Sequence, residues 1–199
     1  MRFRLTSWCS VQGWHLRHPA PRASAALPRI GLVLAGVAVP ASAALVEPEP
    51  LRLAAGCALG WCLLALAWID ARELRLPDAL TLPLLLGGLV EAALLEPSRA
   101  LDRSIGAIAG YAFFRAVAAG YAWLRGRAGL GAGDSKLLAA AGAWLGWQAL
   151  AWLVLLAAMA ALALILIDGY CRGRINASRR VPFGPFLAFA TWLMWLLIP

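Results

Sequence analysis

The sequence predicts an all-α, polytopic membrane protein with about seven transmembrane helices. Of its 199 residues, 62% are hydrophobic and only 14% are charged, whereas a soluble domain is roughly 45–50% apolar and about 25% charged. The apolar residues fall into long runs separated by short basic loops. Because the arginines lie in these loops and not on a polar surface, the net charge of +8 indicates membrane topology and not a nucleic-acid partner.

The chain divides into a basic tail, residues 1–29, and a transmembrane domain, residues 30–199. The tail holds five arginines and three prolines, which disfavour regular structure, so it is predicted to be a disordered cytoplasmic segment. Apolar segments follow near 30–46, 51–69, 79–95 and 105–124, then over 137–167 and 184–198, and most approach the length of one membrane crossing.

The first apolar segment has two interpretations. It can be a retained helix, or the apolar core of a cleaved signal peptide that ends in the small-residue pattern "VPASAALVEPEP". The polar lead is long for a signal peptide, which favours the retained helix. Both interpretations place Glu47 outside the cell, so the topology of the later segments is the same.

The run over 137–167 is predicted to be a helical hairpin. It is too long for one crossing of about 20 residues and short for two. Basic loops flank it on both sides, and the positive-inside rule places both loops in the cytoplasm. Only a hairpin satisfies this, turning near Gly146, Trp147 and Gln148.

The resulting topology places 14 of the 18 Lys and Arg residues on the cytoplasmic side. Three lie in outer loops, namely Arg52, Arg99 and Arg103. Arg115 and Glu91 fall inside spans at similar depth, and since isolated charge is costly there, they are predicted to form an ion pair.

Two aspartates reach the same membrane face in this topology. Asp70 ends the second helix and Asp134 begins the fifth, where Gly131 and Gly133 permit a tight turn and a close approach of the backbone. Each acid alone could be a helix-end residue, and Asp134 is favourable at a helix N-terminus. Together, two carboxylates in a low-dielectric site tend to share one proton and supply an acid and a base, as peptide hydrolysis requires.

The sequence lacks the histidine and cysteine patterns that other catalytic mechanisms or a metal site would need. The only histidines, His15 and His18, lie in the tail, and none of the four cysteines forms a C-x-x-C pair. We therefore expect no metal and no cofactor. An ion-coupled transporter using the same acids is an alternative, but no internal repeat is evident and the acids lie at one face and not at the midplane.

Three segments, in order, carry a family resemblance: "IDARELRLPDALTLPLLLGGL", "GLGAGDSKLLAAAGAWLGWQAL" and "VPFGPFLAFATWL". They resemble the type IV prepilin peptidases, membrane aspartyl proteases with a G-x-G-D signature. The resemblance implies that Asp70 and Asp134 are the catalytic pair. It implies supporting positions at Asp78 and Lys136, beside Gly131 and Gly133 of the signature, but no catalytic role for "PFGPF", whose Pro and Gly are typical of a helix start.

The resemblance also implies the substrate and the location. The expected partners are prepilins or type II secretion pseudopilins, whose short basic leader would be removed at the cytoplasmic face of the bacterial inner membrane. Preflagellin-like or Tad-type pilin substrates are the alternative. Bifunctional members carry a cytoplasmic domain with two C-x-x-C pairs ahead of the helix matching 30–46. This sequence has neither pair, so we expect a peptidase without N-methyltransferase activity.

Overall fold

The computed structural model describes residues 26–126, 131–172 and 182–198. Most of the predicted tail, including His15 and His18, lies outside the described residues. Within these three ranges every regular element is helical. In chain order the helices are α1 (Ala26–Val46), α2 (Pro50–Glu73), α3 (Asp78–Leu95), α4 (Ala100–Arg125), α5 (Ala132–Leu145), α6 (Trp147–Arg172) and α7 (Gly184–Leu197), with a 3-10 turn at Pro97–Arg99 before α4.

These helices confirm the predicted all-α architecture and correct some of its boundaries. α1 begins at Ala26, inside the segment predicted to be a disordered tail, and α4 begins at Ala100 and not near 105. α2 and α6 likewise run past the ends of their apolar segments. Hydropathy marks the part of a helix that suits hydrocarbon, and a helix continues into polar residues as long as its backbone hydrogen bonds are made.

The predicted hairpin is present between α5 and α6. Gly146 ends α5 with a φ of 82°, and its N–H donates to the carbonyl of Gly142 at 2.9 Å. A positive φ combined with a ψ of 170° is a backbone conformation that essentially only glycine adopts, which explains glycine at the turn. α6 then begins at Trp147.

Four helices in the described part of the chain are long and apolar enough to cross a membrane: α2, α3, α4 with its 3-10 turn, and α6. The Leu34–Val46 part of α1 and the whole of α7 are apolar but shorter. α5 has 14 residues, about 21 Å at 1.5 Å per residue. The protein is thus a multi-pass membrane protein whose helices differ in length.

α5 is the centre of the bundle. Except for Lys136, every residue from Ser135 to Trp144 is buried, and α5 packs most extensively against α4 and α3. α4 and α5 approach each other so closely that a side chain does not fit between them at Gly106. A Cβ added there would lie 2.5 Å from the carbonyl oxygen of Gly142. Small residues of this kind let membrane helices approach closely, where van der Waals packing replaces the hydrophobic effect as the driving force.

The charged residues in the spans pair differently from the prediction. Glu91 forms its ion pair with Arg103, which the sequence had assigned to an outer loop, while Arg115 is exposed. Arg103 and Arg115 lie about 18 Å apart along α4 at 1.5 Å per residue, so Glu91 lies at the depth of Arg103 and not at the depth predicted for Arg115. The predicted Glu91–Arg115 pair is therefore wrong.

Arg103 belongs to a four-residue group that joins α2, α3 and α4, here called the Glu96 cluster (Arg52, Glu91, Glu96 and Arg103). Glu96 accepts from Arg103 at 2.5 Å and from Arg52 at 2.6 Å. Burial disfavours the charged form of Glu96, but the positive charges of Arg103 and Arg52 outweigh burial, and the pKa of Glu96 lies below its ordinary value. The cluster thus ties together three helices at the end of the bundle opposite the aspartates.

Candidate active site

Asp70 is held near the C-terminal end of α2 and is only 6% exposed. Its Oδ2 accepts a hydrogen bond from the backbone N–H of Gly184, the first residue of α7, at 2.9 Å. α2 ends at Glu73, and the next residue, Leu74, has a left-handed φ of 53° and donates its N–H to the carbonyl of Asp70. A bulky residue in this conformation is strained, so the helix ends in a strained turn directly after the acid.

Asp134 lies in the first turn of α5 and is half-buried. The backbone of Gly131, which precedes the helix, forms a hydrogen bond to its carboxylate. Asp134 also interacts electrostatically with Asp70. The fold therefore brings together two acids that are 64 residues apart in the sequence.

Both aspartates line one open cavity of about 610 Å³. Its walls come from the end of α2, the turn into α3 and the start of α5. A cavity of this size lies within the range of roughly 300–1,000 Å³ that binding sites occupy.

The two glycines of the G-x-G-D signature occupy crowded positions. A Cβ added at Gly133 would lie 2.8 Å from the Cβ of Leu76, in the turn between α2 and α3. A Cβ added at Gly131 would lie 3.3 Å from Oδ2 of Asp134. Side chains at these positions would separate α5 from the α2–α3 turn or displace the carboxylate, so the glycines let Asp134 approach the end of α2.

Asp78 and Lys136, predicted as supporting residues, lie at the rim of the same cavity. They form an ion pair of 2.5 Å between the starts of α3 and α5, with side chains 55% and 31% exposed. An exposed pair of this kind contributes about 0–1 kcal/mol. Their geometry therefore indicates a link between two helix starts beside the acids and not direct participation in proton transfer.

One residue of the site was not predicted from the sequence. Gly184 lies in "PFGPF", which indicated only a helix start, yet its N–H is the donor to Asp70. The pattern predicts free N–H groups at this helix start, of which the proline removes one, but no local rule names the acceptor of the N–H of Gly184.

The arrangement suits acid–base chemistry. Two neighbouring carboxylates in a poorly solvated cavity favour a state with one shared proton, which supplies a base and an acid together. Among the described residues no group of histidine, cysteine and acidic side chains could hold a metal ion. A pair of acids of this kind can activate a water molecule.

Comparison with known proteins gives a consistent assignment. The model of the type IV leader peptidase family matches residues 57–166, more than half of the chain, and this match includes both aspartates. A prepilin leader peptidase/N-methyltransferase of Aeromonas hydrophila is 41% identical over 197 residues, which are 96% of this chain and 65% of that protein. A protein of the same name in Burkholderia pseudomallei (strain K96243) is 42% identical over 184 residues, covering 92% of this chain and 58% of its own length.

A shorter relative is covered more fully. The leader peptidase HopD of Escherichia coli is 42% identical over 134 residues, which are 67% of this chain and 86% of HopD. The chain spans less than two thirds of the length of the two larger relatives. No solved structure matches the chain. From the matched region and these identities, the chain belongs to the type IV leader peptidase family.

Proposed function

We propose that the protein is an aspartic endopeptidase that removes the short basic leader from type IV prepilins or type II secretion pseudopilins. The observation that carries the proposal is the convergence of Asp70 and Asp134, from different helices, on one cavity in which their carboxylates interact. The names of the relatives, prepilin leader peptidases, support the choice of substrate.

In the proposed mechanism the two acids share one proton. The ionised carboxylate accepts a proton from the attacking water, while the protonated partner donates a hydrogen bond to the scissile carbonyl. The water oxygen bonds to the carbonyl carbon and forms a tetrahedral intermediate. When the C–N bond breaks, a proton passes to the leaving amine, and the two acids return to a state with one proton between them.

The site is proposed to lie at the cytoplasmic face of the inner membrane. Support comes from the charge distribution, since the predicted topology assigns 14 of the 18 Lys and Arg residues to the side of the aspartates. The basic leader of a substrate would then stay in the cytoplasm and its apolar helix in the bilayer. The bond between them would reach Asp70 and Asp134 at the boundary.

The test is cleavage of purified prepilin and pseudopilin by the purified protein in detergent. Asp70→Asn and Asp134→Asn should each abolish cleavage, because removing either half of a cooperating pair is about as damaging as removing both. Asp102→Asn, a matched change in the first turn of α4 at the other end of the bundle, should leave the rate unchanged.

The outcomes separate the candidate functions. Parental cleavage by either Asn variant would contradict the role of the pair. Cleavage of preflagellin-like or Tad-type leaders alone would transfer the proposal to that substrate class. If no leader were cleaved but the parent protein, and neither Asn variant, carried protons across vesicle membranes, the transporter alternative would replace the peptidase.

A further inference from the structure

The first turn of α7 leaves one backbone donor without a partner inside the helix. The initial N–H groups of any helix lack intrahelical acceptors. In α7, Pro185 has no N–H, and the N–H groups of Phe186 and Leu187 both donate to the carbonyl of Phe183 at 3.1 Å. The N–H of Gly184 remains, and it donates to Oδ2 of Asp70.

The position also requires the absence of a side chain. A Cβ added at Gly184 would lie 2.6 Å from Oδ2 and 2.9 Å from Cγ of Asp70. Both distances are well below the roughly 3.5–4.0 Å of an unstrained contact. The Cβ of Asp70, whose position is fixed by α2, would also lie only 3.1 Å away, so rotation of the carboxylate into the cavity would not fully relieve the contact. Any larger residue at 184 would displace Asp70.

The donor is part of a firmly packed element. The ring of Phe183 lies 6.1 Å from that of Phe114 on α4, which is itself buried. One turn into α7, Leu187 is completely buried in the core. A group held on such elements is positioned more accurately than one on a loop. The start of α7 therefore acts as a fixed support for the end of α2.

From these contacts we infer that Gly184 is a positioning residue for Asp70. Its N–H fixes one carboxylate oxygen and leaves the other for water or substrate, and its lack of a Cβ provides the space for this arrangement. Donation from a helix N-terminus favours the ionised carboxylate, the form that accepts a proton from water. The catalytic consequence rests on the proposed peptidase function, whereas the contact itself does not.

The first test measures catalysis by Gly184→Ala. We expect kcat for prepilin cleavage to fall on the order of 10- to 100-fold, as a displacement of about 1 Å can produce, with KM near the parental value. Because the ionised form of Asp70 would lose support, the acid limb of the kcat/KM profile should move to higher pH. A variant impaired only in folding would lose active protein without moving this limb.

The matched control is Gly56→Ala. Gly56 lies on α2, toward the end away from Asp70, and an added Cβ there would meet the ring of Trp195 on α7. We expect this variant to change thermal stability without changing kcat or the pH profile. An equal loss of kcat and an equal pH shift in both variants would show that packing of α2 on α7 is responsible, and would overturn the positioning role.

The second test does not depend on activity. Thermal unfolding is measured for the parent, Gly184→Ala, Asp70→Ala and the double variant. Because the added methyl group collides with the Asp70 carboxylate, Gly184→Ala should lower Tm clearly in the parent and much less in the Asp70→Ala background. Such coupling is expected only between residues in contact, so additive changes in Tm would overturn the inference.

The two tests also separate this inference from the proposed function. If the parent protein cleaves leaders and Gly184→Ala does so with parental kcat, the positioning role is wrong and the peptidase proposal stands. If the parent cleaves no leader, the peptidase proposal is wrong, and the coupling in Tm alone decides whether Gly184 holds Asp70.

Discussion

Removing the charge of Arg103 should destabilise the protein more than any other single arginine change in the described part of the bundle. Its side chain is 10% exposed and forms ion pairs with Glu91 and Glu96, each 12% exposed. Arg103→Met keeps much of the apolar volume but leaves two buried acids without their shared partner. Loss of one member of a buried pair costs about 3–5 kcal/mol. Since Arg52 still compensates Glu96, we expect the lower value, about 3 kcal/mol.

The assay is reversible unfolding in detergent micelles at neutral pH, with Arg115→Met as the matched control. Arg115 is exposed, and a surface change of this kind stays within about 0.5 kcal/mol. Adding Glu91→Gln to Arg103→Met should restore part of the loss, because it removes one uncompensated charge. The reasoning is refuted if Arg115→Met costs as much as Arg103→Met, or if Arg103→Met lies within about 0.5 kcal/mol of the parent.

Three further predictions concern stability. The folded pKa of Glu96 is lowered from 4.5, so the contribution of Glu96 to the free energy of unfolding is present above pH 4.5 and is lost as pH falls through the folded pKa. Glu96→Gln should therefore flatten the loss of stability at acid pH, and an unchanged loss in unfolding measurements across this range would contradict the prediction. Gly142→Ala should lower the free energy of unfolding by about 1–3 kcal/mol, because the added methyl group pushes α5 away from the backbone of α4. Gly120→Ala, where the added Cβ meets open space, should instead raise it by about 0.5–1 kcal/mol. Equal effects of the two variants on Tm would exclude the close α4–α5 contact. Leu74→Gly should stabilise the protein by roughly 0.5–1 kcal/mol, because the left-handed φ of 53° suits glycine and the leucine side chain is half exposed. A lower Tm would show that the apolar contacts of Leu74 outweigh its backbone strain.

The sequence by itself determined the helical class, the number of helices and the hairpin between α5 and α6. These properties follow from the lengths of apolar runs and from the distribution of charge between them, which are local quantities. The shared face of Asp70 and Asp134 follows as well, because helices that traverse the bundle in alternate directions bring the end of the second and the start of the fifth to one side. The role of the two aspartates remains a prediction that rests on this geometry and on the family.

Only the tertiary structure decided which sides of the helices meet. Arg103 and not Arg115 faces Glu91, and the N–H of Gly184 and not a side chain holds Asp70. In an apolar helix, hydrophobic residues surround the whole axis, so the sequence pattern marks the span but fixes neither the rotation of the helix nor its offset along the axis relative to its neighbours. Rotation is set by close packing, such as the contact of Gly106 with Gly142, and that packing depends on residues far apart in the chain.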